Sequence, residues 1–271
     1  YLDLYNLLHM LFPSDYDEFF GFSDVLLRHP TPVEAETVNK RLQPFFCRTT
    51  KEQLEVPPAL PDKLLTCPAG GEENRLLELL VQQYRGNKLA LFLRILQLES
   101  NPQLLLQRLD LQDFQYLLDD GGPAGDAGLD GCGQEARQLI EACPPSGKFR
   151  RCVQLAEELA RDGKPVIIWC VFLDSIHTLS EALEKRGIPT RCIYGAVPLE
   201  ERQDILRDFK LGHFQVLLTN PHTLAESVSL HSICHDAVYF EYSYNLVHLL
   251  QSKDRIHRLG LPEGQYTQYT F

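Results

Sequence analysis

Several signatures are missing from this sequence, and each absence excludes a class. The longest apolar run, Val166 to Leu173, is far too short to cross a bilayer. No basic stretch precedes an apolar core at the start, so no signal peptide is read there. Cysteines stand at 47, 67, 132, 143, 152, 170, 192 and 234, and no two form a CxxC pair, which argues against a zinc ribbon or a thioredoxin-like site. Several, Cys170 among them, lie in apolar runs, as reduced buried thiols of a cytoplasmic protein would. No internal repeat is present.

What is present is ordinary for a soluble globular protein. The 271 residues are 44% hydrophobic and 23% charged, enough for more than one small domain and too few for three. The first residue is Tyr1 rather than Met, which reads as a fragment. Net charge is −11, and residues 101–145 hold eight Asp or Glu against two Arg. A protein that coats nucleic acid in bulk would be basic, although an acidic total leaves room for a local basic groove.

The chain divides near residue 145. Before it the apolar spacing is helical: Leu2, Tyr5, Leu8 and Leu11 predict one helix, Leu76 to Tyr84 a second and Leu89 to Leu98 a third. The glycine-rich stretch from Gly121 to Gly133 reads as a loop. After it the pattern alternates. Ser146 can cap a helix whose apolar face is Phe149, Val153, Ala156 and Ala160. The run from Pro165 to Phe172 predicts a strand buried on both faces. Asp174 can cap the next helix. Strands follow at Thr190–Tyr194, Phe214–Leu218, Ala237–Phe240 and Tyr266–Phe271, with a helix after Pro198 and another from Asn245 through Arg258. This alternation implies right-handed βαβ units and an α/β fold with a parallel sheet. Ligands in such sheets sit at the carboxyl ends of the strands, here the loops at 172–174, 194–198, 219–229 and 241–245.

The strongest local signal runs from Gln251 to Gly260. Arg255 and Arg258 are three apart, on one face of the expected helix, and a forked guanidinium pair can hold a multiply charged phosphate, with Asp254 orienting one of them. A solvated surface helix with ordinary ion pairs explains the same spacing. His231, Cys234 and His235 lie close in sequence without a further ligand pair, so core or turn packing is the expectation and a metal is not. Trp169 is read as core. His257 is read as structural.

QSKDRIHRLG resembles the sixth motif of the Snf-type DNA translocases, a branch of the superfamily-two helicase-like ATPases. The resemblance extends along the chain. The segment from SGKFRRCVQLAEELARDGKPVIIWCVF to LEKRGI is similar to the start of that family's second RecA-like lobe. IYGAVPLEERQDILRDF resembles its glycine turn and Glu-Glu-Arg helix, and VLLTNPHTLAESVSLHSICHDAVYFEYSYN its fifth motif. Upstream, LQPFFCRTTKEQLEVPPALP resembles the strand that closes the first lobe, LALFLRILQLESNPQLL a leucine-rich helix, and YLDLYNLLHMLFP the helix after the third motif. The Asn-Pro of the fifth motif and the HRLGLPEG ending look like bacterial stand-alone members.

The resemblance implies three regions: residues 1–61 as the end of the first lobe with a helical insertion, 62–145 as helical insertion and acidic linker, and 146–271 as the second RecA-like lobe. It implies Arg255 and Arg258 as catalytic arginine fingers, with Gln251, Asp254 and Ser229 at the nucleotide. Ser229 stands where the family has Asn or Asp against the ribose. Gly195, Thr219 and Asn220 are implied as contacts to DNA backbone phosphates. The cofactors are ATP and Mg2+, held mainly by the first lobe, since no GxxxxGK[ST] loop or DExH motif occurs in these residues. The expected partners are double-stranded DNA, the N-terminal lobe of the same protein and other proteins of a defence or repair complex, with no membrane. A non-catalytic scaffold built on a helicase lobe is the alternative.

Overall fold

The computed structural model describes residues 2–107, 134–224, 228–242, 246–261 and 264–271. The glycine-rich loop expected over 121–133 and the Asn245 cap lie outside them. The chain forms two compact units, Tyr1–Glu55 and Val56–Phe271.

The first unit is helical: α1 (Leu2–Leu11), α2 (Tyr16–Phe19), α3 (Asp24–Arg28) and α4 (Pro32–Leu42). Its core is Leu8, Tyr16, Phe20, Phe22, Leu27, Val38 and Leu42. Thr31 and Glu34 close a capping box at the start of α4, satisfying amides that the first helical turn leaves open. The strand expected from LQPFFCRTTKEQLEVPPALP does not form over residues 42–55, while Leu60 near its end donates its amide to Thr267 beside β5. A strand needs a neighbour for its amides and carbonyls, and the described residues of this unit contain helices and turns alone.

The second unit opens with α5 (Gly71–Gln83), α6 (Lys88–Ser100) and, after 107, α7 (Gln134–Ala142). These pack through Leu76, Leu80, Tyr84, Leu98, Leu105, Ile140 and Cys143. Then comes the alternation: α8 (Gly147–Arg161), β1 (Val166–Trp169), α9 (Leu173–Glu184), β2 (Thr190–Ile193), α10 (Leu199–Lys210), β3 (Val216–Thr219), α11 (Pro221–Leu224), β4 (Asp236–Tyr239), α12 (Leu246–Lys253) and β5 (Gln268–Thr270). The strands form one sheet in the order β2-β3-β1-β4-β5, with every pairing parallel. The Ser146 hydroxyl accepts the Phe149 amide at 3.0 Å and starts α8 as its cap.

β1 is central and buried along its whole length, as a continuous apolar run requires. Its alternate residues serve two cores. Val166 and Ile168 pack with Phe149, Val153, Ala156, Ile176 and Leu179 on one face. Ile167 and Trp169 pack with Ile205, Phe209, Leu230 and Ile256 on the other. Each fully buried side chain of this size contributes roughly 1.5–3 kcal/mol.

The β5 edge is covered by the strap of residues 57–65. Leu60, Lys63 and Leu65 donate their amides to Thr267, Tyr269 and Phe271 at 2.8–2.9 Å, and Lys63 bridges Thr270 in parallel. An unpaired edge is a template for aggregation, and the strap closes it.

Candidate functional site

Two clusters stand out, one at the carboxyl ends of the strands and one beside their amino ends. The first joins the ends of β2 and β3, where Ile193 and Thr219 are in register. After β2 the chain turns through Gly195, which is exposed. Arg202, on α10, clamps this turn: Nε donates to the Val197 carbonyl at 2.7 Å and Nη2 to the Gly195 carbonyl at 2.8 Å. At Gly195 a Cβ would meet nothing within 4 Å, and φ is not positive. No contact within the chain therefore demands glycine there.

Beyond β3, Thr219 is fully buried and its hydroxyl lies 3.4 Å from the Asn220 carbonyl. Asn220 is half-buried, and its Oδ1 accepts the Thr223 amide at 2.9 Å, capping α11. Asn-Pro thus starts a helical turn here. Thr219 presents no open side chain to a phosphate in this conformation, while Gly195 and Asn220 stand at neighbouring strand ends.

The second cluster joins residues 228–231 to the arginines. The helix expected to run through Arg258 ends at Lys253. Asp254, Arg255 and Ile256 are in turn geometry, with the Arg255 and Ile256 amides reaching back only to Ser252 and Lys253. Past the helix, Arg255 O accepts the Leu230 amide at 2.8 Å, tying this turn to the segment before β4. Arg255 and Arg258 are therefore carried on a turn beyond the helix and not along its face.

The side chains of the two segments meet as well. Arg258 Nη1 donates to Ser229 Oγ at 2.6 Å. Burial, and next the Arg258 charge, push the Arg255 guanidinium below its ordinary value. Both arginines are half-buried, and the Asp254 carboxylate acts on Arg255 in the opposite direction. His231 is held toward its neutral form by burial and by the Arg258 and Lys210 charges. Its Nε2 lies 3.3 Å from where a Gly260 Cβ would sit, and Gly260 has φ of +88°, so two separate constraints select glycine there. Gln251 and Asp254 are exposed, on α12 and just after it.

Three further residues support these loops. His257 Nε2 lies 2.7 Å from the Pro57 carbonyl, tying the arginine turn to the strap. Lys253 adds an ion pair to Asp62 at 2.6 Å. Glu241, fully buried just past β4, accepts the Val171 and Phe172 amides at 2.7 and 2.9 Å and the Ser175 hydroxyl at 2.6 Å. Asp174 lies inside α9 and caps nothing: Phe172 holds the cap position without a side-chain bond, and Glu241 instead anchors the two amides just before the helix. Cys234 is core: its thiol donates to the Pro165 and Asp236 carbonyls at 3.4 and 3.3 Å.

Residues 147–260 match the family model of the helicase conserved C-terminal domain. Over 138 residues the chain is 27% identical to the probable ATP-dependent RNA helicase DDX17 of Mus musculus, a match covering 49% of this chain and 20% of that protein. Over 117 residues it is 29% identical to the ATP-dependent helicase fft2 of Schizosaccharomyces pombe, covering 42% and 9%. The chain thus spans a fifth or less of the length of these curated relatives. Among solved structures, the C-terminal part of the Fun30 ATPase domain superposes with a TM-score of 0.57 at 14% identity, covering 79% of this chain and 85% of that one. The Sulfolobus solfataricus SWI2/SNF2 ATPase core in complex with dsDNA gives 0.54 at 18% identity, covering 95% and 50%. Residues 147–260 thus match the helicase conserved C-terminal domain, on the RecA-like fold seen in the C-terminal half of SWI2/SNF2 ATPases.

Proposed function

We propose that this chain is the C-terminal half of an ATP-dependent, double-stranded-DNA translocase of the Snf type. In this reading Arg255 and Arg258 complete an ATP site whose phosphate loop and Mg2+ ligands belong to a preceding RecA-like lobe. The observation that carries it is the arginine segment itself: two half-buried arginines three residues apart, one bonded to Ser229, on non-helical backbone just past α12. A surface ion-pair helix would have no reason to bring two cations together at partial burial.

Arginine is suited to this role because its planar fork matches phosphate oxygens and it keeps its charge. Placed where negative charge grows during transfer, a preorganised cation acts mainly on the rate. Exposed Asp254 and Gln251 are within a turn of Arg255 and would face the same nucleotide. At the other cluster, the Gly195 turn offers open backbone to a DNA phosphate. With Asn220 Oδ1 already accepting an amide, its side-chain nitrogen is the group left to donate. Such contacts read backbone and not bases, so binding should fall with salt and be indifferent to sequence.

One observation favours a second substrate. The curated relatives include proteins named as RNA helicases, so duplex RNA belongs beside duplex DNA in the test. The wide coverage of this chain by the SWI2/SNF2 core, helical segment included, favours DNA.

The experiment is ATP turnover by the full-length protein with no nucleic acid, duplex DNA or duplex RNA. DNA should stimulate most. Arg258→Ala should then cost on the order of 100-fold or more in stimulated turnover, with DNA binding retained. Arg258→Lys should rescue poorly, because lysine keeps the charge and loses the fork. Turnover within about threefold for both variants, well below the usual loss for a preorganised donor, would reject the reading. No turnover under any condition would favour a scaffold.

A further inference from the structure

We propose that Ser229 acts on nucleotide turnover through Arg258, as a positioning residue, and not by holding the ribose. The inference rests on the arginine-finger reading above. Arg258 lies beyond the end of α12, in non-helical backbone. Helical hydrogen bonds therefore do not set the direction of its side chain. The Ser229 hydroxyl does: it accepts Nη1 at 2.6 Å. The next residue reinforces the link, since the Leu230 amide donates to the Arg255 carbonyl at 2.8 Å. Backbone and side chain thus bind 229–230 to 255–258 at two points. His231 completes the seat. It lies near Arg258, and Gly260 packs closely on its ring.

The chemistry separates this role from ribose recognition. A serine oxygen that accepts from a guanidinium keeps one lone pair and its proton, so the two roles are told apart by what each changes. A group that aims a catalytic cation changes the rate of the step in which that cation acts. A group that holds the ribose changes how tightly nucleotide binds.

The test uses the full-length protein, stimulated turnover, and equilibrium binding of a non-hydrolysable ATP analogue and its 2′-deoxy form. Ser229→Ala should lower kcat about tenfold, the loss of one hydrogen bond to a charged group. KM for ATP and the analogue's Kd should stay within about twofold, and the preference for the ribo form should not change. Ser229→Thr, which keeps the hydroxyl, should restore the rate. In an Arg258→Ala background Ser229→Ala should add nothing, since the two act as one unit. If alanine lowers the melting temperature, Ser229→Cys, nearly isosteric and a weak acceptor, gives the same comparison in an intact fold. Weaker analogue binding at unchanged kcat, or a lost preference for the ribo form, would overturn the proposal in favour of a ribose contact. An unchanged kcat, or a full effect in the Arg258→Ala background, would also overturn it. Failure of the underlying finger reading is recognised separately, as unimpaired turnover in Arg258→Ala alone.

Discussion

The imidazole Nε2 of His257 lies 2.7 Å from the carbonyl oxygen of Pro57, joining residues 200 positions apart. The ring is nearly buried, at 9% exposure, and sits between the two arginines in sequence. Its bond belongs to the strap. His257→Ala should leave the Pro57 carbonyl without that donor and lower unfolding free energy by roughly 1–3 kcal/mol. His257→Gln, whose amide can donate from a similar reach, should recover part of it. Urea unfolding of the three proteins measures the difference. A neutral His257→Ala would show that the strap holds without this bond.

Glu241 takes two amides and one hydroxyl while fully buried. Glu241→Ala leaves the Val171 and Phe172 amides without that acceptor, and should cost about 3 kcal/mol or more. Glu241→Gln should cost less, near 1 kcal/mol, since its carbonyl oxygen can still take both amides while Ser175 rotates to accept. Equal losses for the two variants, measured by chemical denaturation, would mean that packing and not the acceptor matters here.

Burial holds the imidazoles of His231 and His235 below the ordinary value of 6.5. A depressed pKa means that the folded state keeps these rings neutral while the unfolded chain protonates them. The stability they allow is therefore present above pH 6.5 and lost as pH falls through the folded values. The melting temperature should drop between pH values of about 7.5 and 5.5. In a His231→Asn, His235→Asn protein the drop should be shallower, and an unchanged slope would assign the acid sensitivity elsewhere.

Gly195 offers a cleaner separation of fold from binding. With open space around its missing Cβ and no positive φ, Gly195→Val should leave the melting temperature within about 1 °C, as surface changes usually do. If a phosphate approaches that backbone, the same change should weaken duplex-DNA binding by about tenfold, roughly one displaced charge-assisted contact. Unchanged affinity, read by fluorescence anisotropy at low salt, would move the DNA path off this turn.

Much of this architecture is legible in residue patterns. The PVIIWCVF run holds the central strand in its VIIW half, because a strand flanked by two others and covered on both faces must be apolar at every position, while CVF leads into α9. The helix over Gly147–Arg161 is legible from its serine cap and its four-residue spacing. Legibility fails where a tertiary bond outbids a local one. The helix through Arg258 is the natural reading of local spacing, yet the helix ends at Lys253 and the Arg255 carbonyl past it goes to Leu230. Asp174 is the natural helix cap by position, yet Glu241 arrives from across the sheet. The arginine pair is visible as a motif, whereas the Ser229–Arg258 bond spans 29 positions and has no local mark. The strap, short and broken by prolines, carries no alternating pattern that would name it as a partner of β5.

That strap also imposes an order on synthesis. The Gln268 side chain bonds to Pro61 across 207 positions, so residues 57–65 leave the ribosome long before their partners exist. Until then the strap has no sheet edge to join, and β4 has no β5. The helices around α5 and α6 have mostly local contacts and can gather early, while closure of the sheet waits on a loop spanning most of the chain. Such long-range closure is slow and costs loop entropy. A nascent chain stalled before residue 267 would hold an assembled helical layer over an open sheet edge, the form of this protein most exposed to pairing with a stranger.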